Sequence, residues 1–205
     1  MNPWYGVLLI IVSYLIGNLD FAYILVKKKK NVDIRNYGSG NAGMTNVLRT
    51  QGGAMAFWVF VGDAAKGAFC VWAARALGFS EWWVAGAGMA VIAGHNWPVF
   101  LHFRGGKGVS TTIGAFLMYD WFCGIFGMLI GLVFMLSTKI MSVGSMTGIV
   151  AVPFVVLIVH HLSRPPELVF AIFMAVSVLW QHRANIVRLK NGNENKLNFG
   201  KKKDK

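Results

Sequence analysis

Charge is what this chain has least of: 14% of its 205 residues are Asp, Glu, Lys or Arg, against about 25% in an ordinary soluble domain. That shortage excludes a freely soluble enzyme, because the remaining sequence is 56% hydrophobic and gathers into uncharged runs such as Trp4 to Gly17, Trp82 to Ile92 and Met146 to Val159. It excludes intrinsic disorder for the same reason. Cysteine is nearly absent. Cys70 and Cys123 each lie inside an apolar stretch, so neither reads as a disulfide half or a metal ligand, and a disulfide scaffold is excluded. Acidic residues are also scarce, 8 against 20 Lys and Arg, which leaves a net charge of +12. No internal repeat of fixed period is present.

Long apolar runs at this density define a polytopic membrane protein of the all-α class. The first run, Pro3 to Val26, has no basic segment before it and exceeds the apolar core of a cleaved secretory signal, so it is expected to be retained. Lys27 to Lys30 follow it and, by the positive-inside rule, mark the cytoplasmic side, which places the N-terminus outside. Ala54 to Leu77 goes out and Trp82 to Leu101 returns. Val109 to Leu136 is long for one span and short for two. Two elements turning near Tyr119 and Asp120 keep the later basic residues inside, and the first of them, at about 11 residues, is about 16 Å of helix and is short or re-entrant. Val143 to Leu162 and Glu167 to Gln181 complete about seven elements, with Pro165 and Pro166 in the turn between them. On this map 17 of the 20 basic residues are cytoplasmic, Arg75 and Arg164 are outside, and Lys66 lies in a span. The expected organisation is one membrane domain over 1–200 with a basic cytoplasmic tail at 201–205. The positive charge serves anionic lipid or an anionic substrate at the membrane, not nucleic acid.

The polar and glycine-rich segments converge on the cytoplasmic end of this map. In Tyr37 to Arg49, Gly38, Gly40 and Gly43 let the backbone turn its amides toward an anion. Ser39, Asn41, Thr45 and Asn46 add neutral donors and Arg49 a bidentate cation suited to phosphate. A flexible loop with helix caps is the plain alternative. Arg104, Gly105, Gly106, Lys107 and Gly108 form a second glycine nest with two cations at a helix start. It is not a nucleotide P-loop, since Gly108 stands where Ser or Thr should follow Lys107, and Leu101 where the first glycine should be. Lys139 to Ser145 contributes Ser142. In Gln181 to Arg188, His182 and Asn185 share a helical face, and His182 is the best-placed candidate base. His95 is placed to orient a loop, and His160 and His161 lie at the opposite interface. Asp63 and Lys66, three residues apart within a span, read as a structural pair. Asn18 and Asp20 receive no role.

These segments resemble the bacterial membrane acyl-phosphate:glycerol-3-phosphate acyltransferases. The matching stretches are SGNAGMTNVLR at 39–49, DAAKG at 63–67, GHNWPVFLHFRGGKGVST at 94–111 and QHRANIVRL at 181–189, followed by Gly192, Glu194 and Lys196. Gly17-Asn18-Leu19-Asp20-Phe21-Ala22 departs from the family's Gly-Ser-Ile-Pro-Phe-Gly-like stretch. The resemblance implies acyl transfer from acyl phosphate to the 1-hydroxyl of glycerol 3-phosphate, giving lysophosphatidic acid and phosphate at the cytoplasmic face of a bacterial inner membrane. No cofactor or metal is called for. The partners are the two substrates and membrane lipids, and association with other phospholipid-synthesis enzymes is compatible with it.

Acyl phosphate carries its own leaving group, so no covalent nucleophile is needed, and no Ser-His-Asp or Cys-His set is evident. The His-x4-Asp pattern of another acyltransferase family is absent too, since His95, His102 and His182 lead to Phe100, Lys107 and Val187. Arg49, Arg104, Lys107 and the glycine nests are expected to hold phosphate, and Asn41, Thr45, Ser142, His182 and Asn185 to orient the hydroxyl. A transporter of a small phosphate ester is the alternative, but such sites lie near the midplane between repeats.

Overall fold

In the computed structural model, which describes residues 3–197, the first apolar run is not one helix. Helix α1 (Pro3–Gly17) stops at Asn18 and α2 (Phe21–Lys30) restarts after Asp20. Asn18 Nδ2 donates to the Tyr14 carbonyl at 2.7 Å, and Asp20 Oδ1 accepts the Tyr23 amide at 2.8 Å as an N-cap. Two residues without an assigned role in the sequence therefore build the break. There follow α3 (Met44–Gln51), α4 (Gly53–Ala76), α5 (Glu81–Asn96), α6 (Val109–Tyr119), α7 (Trp121–Thr138), α8 (Met141–His160), α9 (Pro165–Gln181) and α10 (Arg183–Lys190). No strand occurs among the described residues, and the expected tail at 201–205 lies outside them.

Among the described residues, five stretches are long and apolar enough to cross a membrane: Pro3–Lys30, Gly53–Ala76, Glu81–Leu101, Trp121–Thr138 and Met141–His160. Helices α9 and α10 add a sixth if their 59° bend is taken within one span. The chain is thus an all-α, multi-pass membrane protein, and each of the seven expected elements is helical. Outward-facing side chains such as Ile158 (74% exposed) are apolar, as a lipid-facing surface requires.

Small residues set the helix spacing, because apolar side chains gain little from leaving lipid for a protein interior. Gly17 of α1 meets Gly94 of α5, and Gly67 and Gly114 bring α4 against α6. Gly127 and Gly131 of α7 face Gly144 and Gly148 of α8. A Cβ on Gly114 would overlap the Ala64 carbonyl. Helix α6 has only 11 residues, about 16 Å of axial length. It ends at Asp120, which touches His160 at the end of α8, so its N-terminus stops short of the opposite surface and opens within the protein.

The buried ammonium of Lys66 holds three of these helices. It donates to the carbonyls of Gly17 (3.0 Å) and Leu19 (2.6 Å), which the break in α1 leaves without helical partners. It also pairs with Asp63 Oδ1 at 2.9 Å and lies 2.8 Å from His95 Nδ1. The expected Asp63–Lys66 pair is present, and it is a junction of α1, α4 and α5 rather than an isolated bridge. Removing one partner strands the other charge in a dry interior, at a cost of about 3–5 kcal/mol. Lys66→Met is therefore expected to lower the unfolding midpoint in detergent strongly, and Asp63→Leu combined with Lys66→Met to recover part of the loss. Equal loss in the single and double variants would show that the carboxylate is not the ammonium's main partner.

Candidate functional site

Four segments distant in sequence close around one polar cavity. The first is the loop before α3. Asp33 forks onto Arg35 at 2.7 Å, and Arg35 donates to the Leu101 carbonyl at 3.0 Å, tying this loop to the one before α6. Gly38 and Gly40 take positive φ, 59° and 71°, which a side chain rarely tolerates. Asn46, expected to offer a donor to an anion, instead holds the loop. Its Oδ1 accepts the Ser39 amide at 2.9 Å, and its Nδ2 donates to the carbonyls of Tyr37 (2.9 Å) and Asn41 (3.0 Å). Both amide hydrogens are used within its own segment, because a turn this tight leaves buried backbone groups that need partners, although Asn46 also lines the cavity. Ser39, Asn41, Gly43, Thr45 and Arg49 line the cavity around it.

The second segment precedes α6. The Gly106 amide donates to the His95 carbonyl at 3.1 Å, and a Cβ on Gly105 or Gly106 would overlap His95. These two glycines permit close packing of the loop on α5 and do not line the cavity. With Gly40 and Arg104 they line a neighbouring vestibule of about 340 Å³, which shares Ser39, Asn41, Lys107, Asn185 and Arg188 with the cavity. Gly108 (φ 74°) starts α6 without a side-chain cap. Gly108, Val109 and Ser110 line the cavity, so the positive end of the α6 dipole and its free amides lie at the wall.

The third and fourth segments meet through Glu194. Its Oε1 accepts from Ser142 Oγ (3.2 Å) and Asn185 Nδ2 (2.7 Å), and its Oε2 pairs with Arg188 Nε at 2.7 Å. Lys107 Nζ donates to Asn185 Oδ1. His182 and Asn185 were expected on one continuous helix face. In fact the chain bends 59° between α9 and α10, His182 sits at the bend, and both residues still line the cavity. His182 Nδ1 lies 2.8 Å from the Val178 carbonyl. A carbonyl only accepts, so Nδ1 carries the proton and Nε2 is left as an acceptor.

Burial shapes the charges here. It pushes the Lys107 ammonium down to about 8, with the nearby Arg188 charge adding to the effect. It also pushes His182, just beyond the end of α9, down to about 4, with the charge of Lys107 adding to it. Burial alone would raise Glu194, but hydrogen bonds from Arg188 and Asn185 outweigh it and hold the carboxyl below its usual range. At neutral pH the cavity therefore presents a neutral imidazole, an ionised Glu194, and the cations Arg49, Lys107 and Arg188.

Sequence reasoning missed several lining residues. Arg188 could have been found at helical spacing from Asn185. Asp63, His95, Ser110 and Ser145 also line the cavity; Asp63 reads in the sequence as a structural partner of Lys66 and His95 as orienting a loop, while Ser110 and Ser145 stand within segments singled out for other residues. Lys66 does not reach the lining and acts through Asp63 and His95. The polar cavity, about 90 Å³, opens on its other side into an apolar groove of about 310 Å³ between α4, α6, α7 and α8. Met44, Val109, Ser110, Met141 and Ser145 line both spaces.

The chain is 44% identical over 193 residues to a glycerol-3-phosphate acyltransferase of Thermoanaerobacter sp. (strain X514), covering 94% of this chain and 96% of that one. It is 42% identical to one of Clostridioides difficile (strain 630), covering 97% of each. Among solved structures, the glycerol 3-phosphate form of PlsY (YgiH), an integral membrane glycerol 3-phosphate acyltransferase, superposes with a TM-score of 0.88 at 32% identity, covering 95% of this chain and 96% of that one. The lysophosphatidic acid form gives 0.86 at 31% identity, with the same coverage. A family model described as glycerol-3-phosphate acyltransferase matches residues 7–192, and the chain belongs to that family.

Proposed function

We propose that this protein moves a fatty acyl group from acyl phosphate to the 1-hydroxyl of glycerol 3-phosphate, releasing phosphate and lysophosphatidic acid. The observation that carries the reading is the joining of three spaces: a cationic polar cavity, a basic vestibule, and an apolar groove that meets the cavity at Val109, Ser110 and Met141. The groove suits an acyl chain, and the vestibule a water-soluble phosphate ester. Arg49, Lys107 and the α6 amides offset the two phosphate charges. Asn41, Thr45, Ser142 and Asn185 orient the polar groups, and His182 Nε2 accepts from the attacking hydroxyl. That oxygen bonds to the acyl carbon as the bond to the leaving phosphate breaks.

No serine lining the cavity is hydrogen-bonded to a histidine among the described residues, which supports direct transfer over an acyl-serine step. His182 is too weak a base to keep the proton, so the proton passes to a substrate phosphate, whose second ionisation lies near pH 6. The skew of basic residues supports a cytoplasmic site in a bacterial inner membrane, with residues 1–200 acting as one unit. The reading is tested in proteoliposomes supplied with glycerol 3-phosphate and acyl phosphate, acyl-CoA or acyl carrier protein. Product from acyl phosphate is expected, and product from a thioester donor alone would overturn the choice of donor.

Arg49→Ala and Lys107→Ala are each expected to lower kcat/KM for glycerol 3-phosphate about ten- to over a hundredfold, the effect of one lost charge-assisted bond. Lys107 loses its proton as pH rises through about 8, so kcat/KM should fall above that pH. Lys107→Arg should remove the alkaline limb, because a guanidinium stays charged; an unchanged limb would assign it to another group. Since His182 is neutral down to about pH 4, His182→Gln should keep any acidic limb near pH 6 and cost less than about a hundredfold in kcat. A vanished limb with a larger loss would make His182 the base.

A further inference from the structure

At the end of the bundle opposite the cavity, three helices bring four potential metal ligands together. Asp120 and Cys123 come from the start of α7, His160 from the end of α8 and Glu167 from the first turn of α9, and one ligand atom from each lies within 4.8 Å of the others. The two side chains of α7 are fixed on one side of the turn, because Asp120 Oδ1 accepts the Cys123 amide at 2.9 Å. Asp120 Oδ2 is left facing His160 Nε2 at 2.7 Å, with Glu167 Oε1 3.9 Å from the same nitrogen. The Glu167 side chain is 1% exposed, and among the described residues neither of its oxygens accepts a hydrogen bond from an N–H donor; it meets the long ion pairs with His160 and Arg164 and the carboxyl of Asp120. Two buried carboxyls side by side must either keep a proton between them or be met by a cation.

Arg164 approaches, 3.6 Å from Asp120 Oδ2 and 3.5 Å from Glu167 Oε2, but its side chain is 56% exposed and sits at the rim. It contributes one positive charge against two carboxylates. We propose that Asp120, Cys123, His160 and Glu167 form a structural site for a divalent cation of borderline softness, zinc(II) above all. One nitrogen, one sulfur and two oxygens make a four-coordinate set of the kind zinc takes, with bonds of about 2.0–2.3 Å that a modest inward movement of these side chains provides. Binding releases the Cys123 thiol proton to solvent and requires His160 to move its ring proton from Nε2, now hydrogen-bonded to Asp120, to Nδ1, so that three anionic ligands and a neutral imidazole face the metal. Together with Arg164 the charges then sum to zero. The site pins α7, α8 and α9 at the end away from the chemistry, and its all-protein ligand set leaves no position for a substrate.

Cobalt(II) is the probe. Tag-free protein in detergent, stripped with chelator, should take up one cobalt per chain with a thiolate-to-cobalt absorption band, and zinc should displace it. The band should persist in Cys70→Ser and vanish in Cys123→Ser, and Glu167→Gln should weaken cobalt binding more than about tenfold. Zinc should also raise the melting temperature of the stripped wild type. Wild-type protein that binds no cobalt with a thiolate band overturns the proposal, whether or not any variant folds. So does a band that survives Cys123→Ser, or an infrared signature of a protonated Glu167 that persists in excess zinc. That last result would mean a proton, shared between Glu167 and Asp120, fills the role assigned to the metal.

Discussion

Lys66 Nζ places an ammonium where α1 has just ended, and the position of the whole site follows from that placement. The two carbonyls it takes up, Gly17 and Leu19, are ones a continuous helix would have used internally. The break in the first span and the buried charge in α4 thus require each other. The same ammonium holds His95 Nδ1 as an acceptor, which leaves Nε2–H directed at the loop carrying Gly106. That loop delivers Lys107 and the uncapped start of α6. From the core outward, one solvation requirement fixes a helix break, a tautomer, a loop path and the position of a helix dipole.

The short α6 then explains how a water-soluble substrate and a lipid chain can meet. A full-length helix would carry its free amides to the membrane surface. Eleven residues leave them within the protein, at the boundary shared by the polar cavity and the apolar groove. Glycine contacts along α4 and α6, and along α7 and α8, keep the walls of that groove close without filling it. Burial that would be wasteful in a soluble protein serves chemistry here. It lowers the proton affinity of His182, so in the proposed reaction the imidazole accepts a hydrogen bond without adding a positive charge beside Lys107.

Much of this was legible in the sequence, for reasons tied to particular residues. Runs of apolar residues report spans whatever their packing, and the turn near Tyr119 and Asp120 followed from the length of its run and the side on which the later basic residues were expected. The segments around Ser39, Lys107, Ser142 and His182 were expected at one end, and the structure sets them around one cavity. What failed was whatever depended on the partner a polar group finds in space. Asn46 was expected to offer a donor to an anion; it lines the cavity, but its amide hydrogens brace the loop. Gly105 and Gly106 were expected to cradle an anion; they pack on His95 and line the vestibule, not the polar cavity. The bend at His182 follows no proline or glycine, and no local spacing connects Asp120 and Cys123 to His160 and Glu167.

The central claim is that both substrates occupy the joined spaces at once and that the acyl group passes directly between them. Initial velocities measured over a grid of acyl phosphate and glycerol 3-phosphate concentrations test it most directly. Direct transfer through a ternary complex predicts double-reciprocal lines that intersect, with the slope for each substrate changing as the other is varied. Parallel lines, the mark of an acyl-enzyme formed and then discharged, would contradict it.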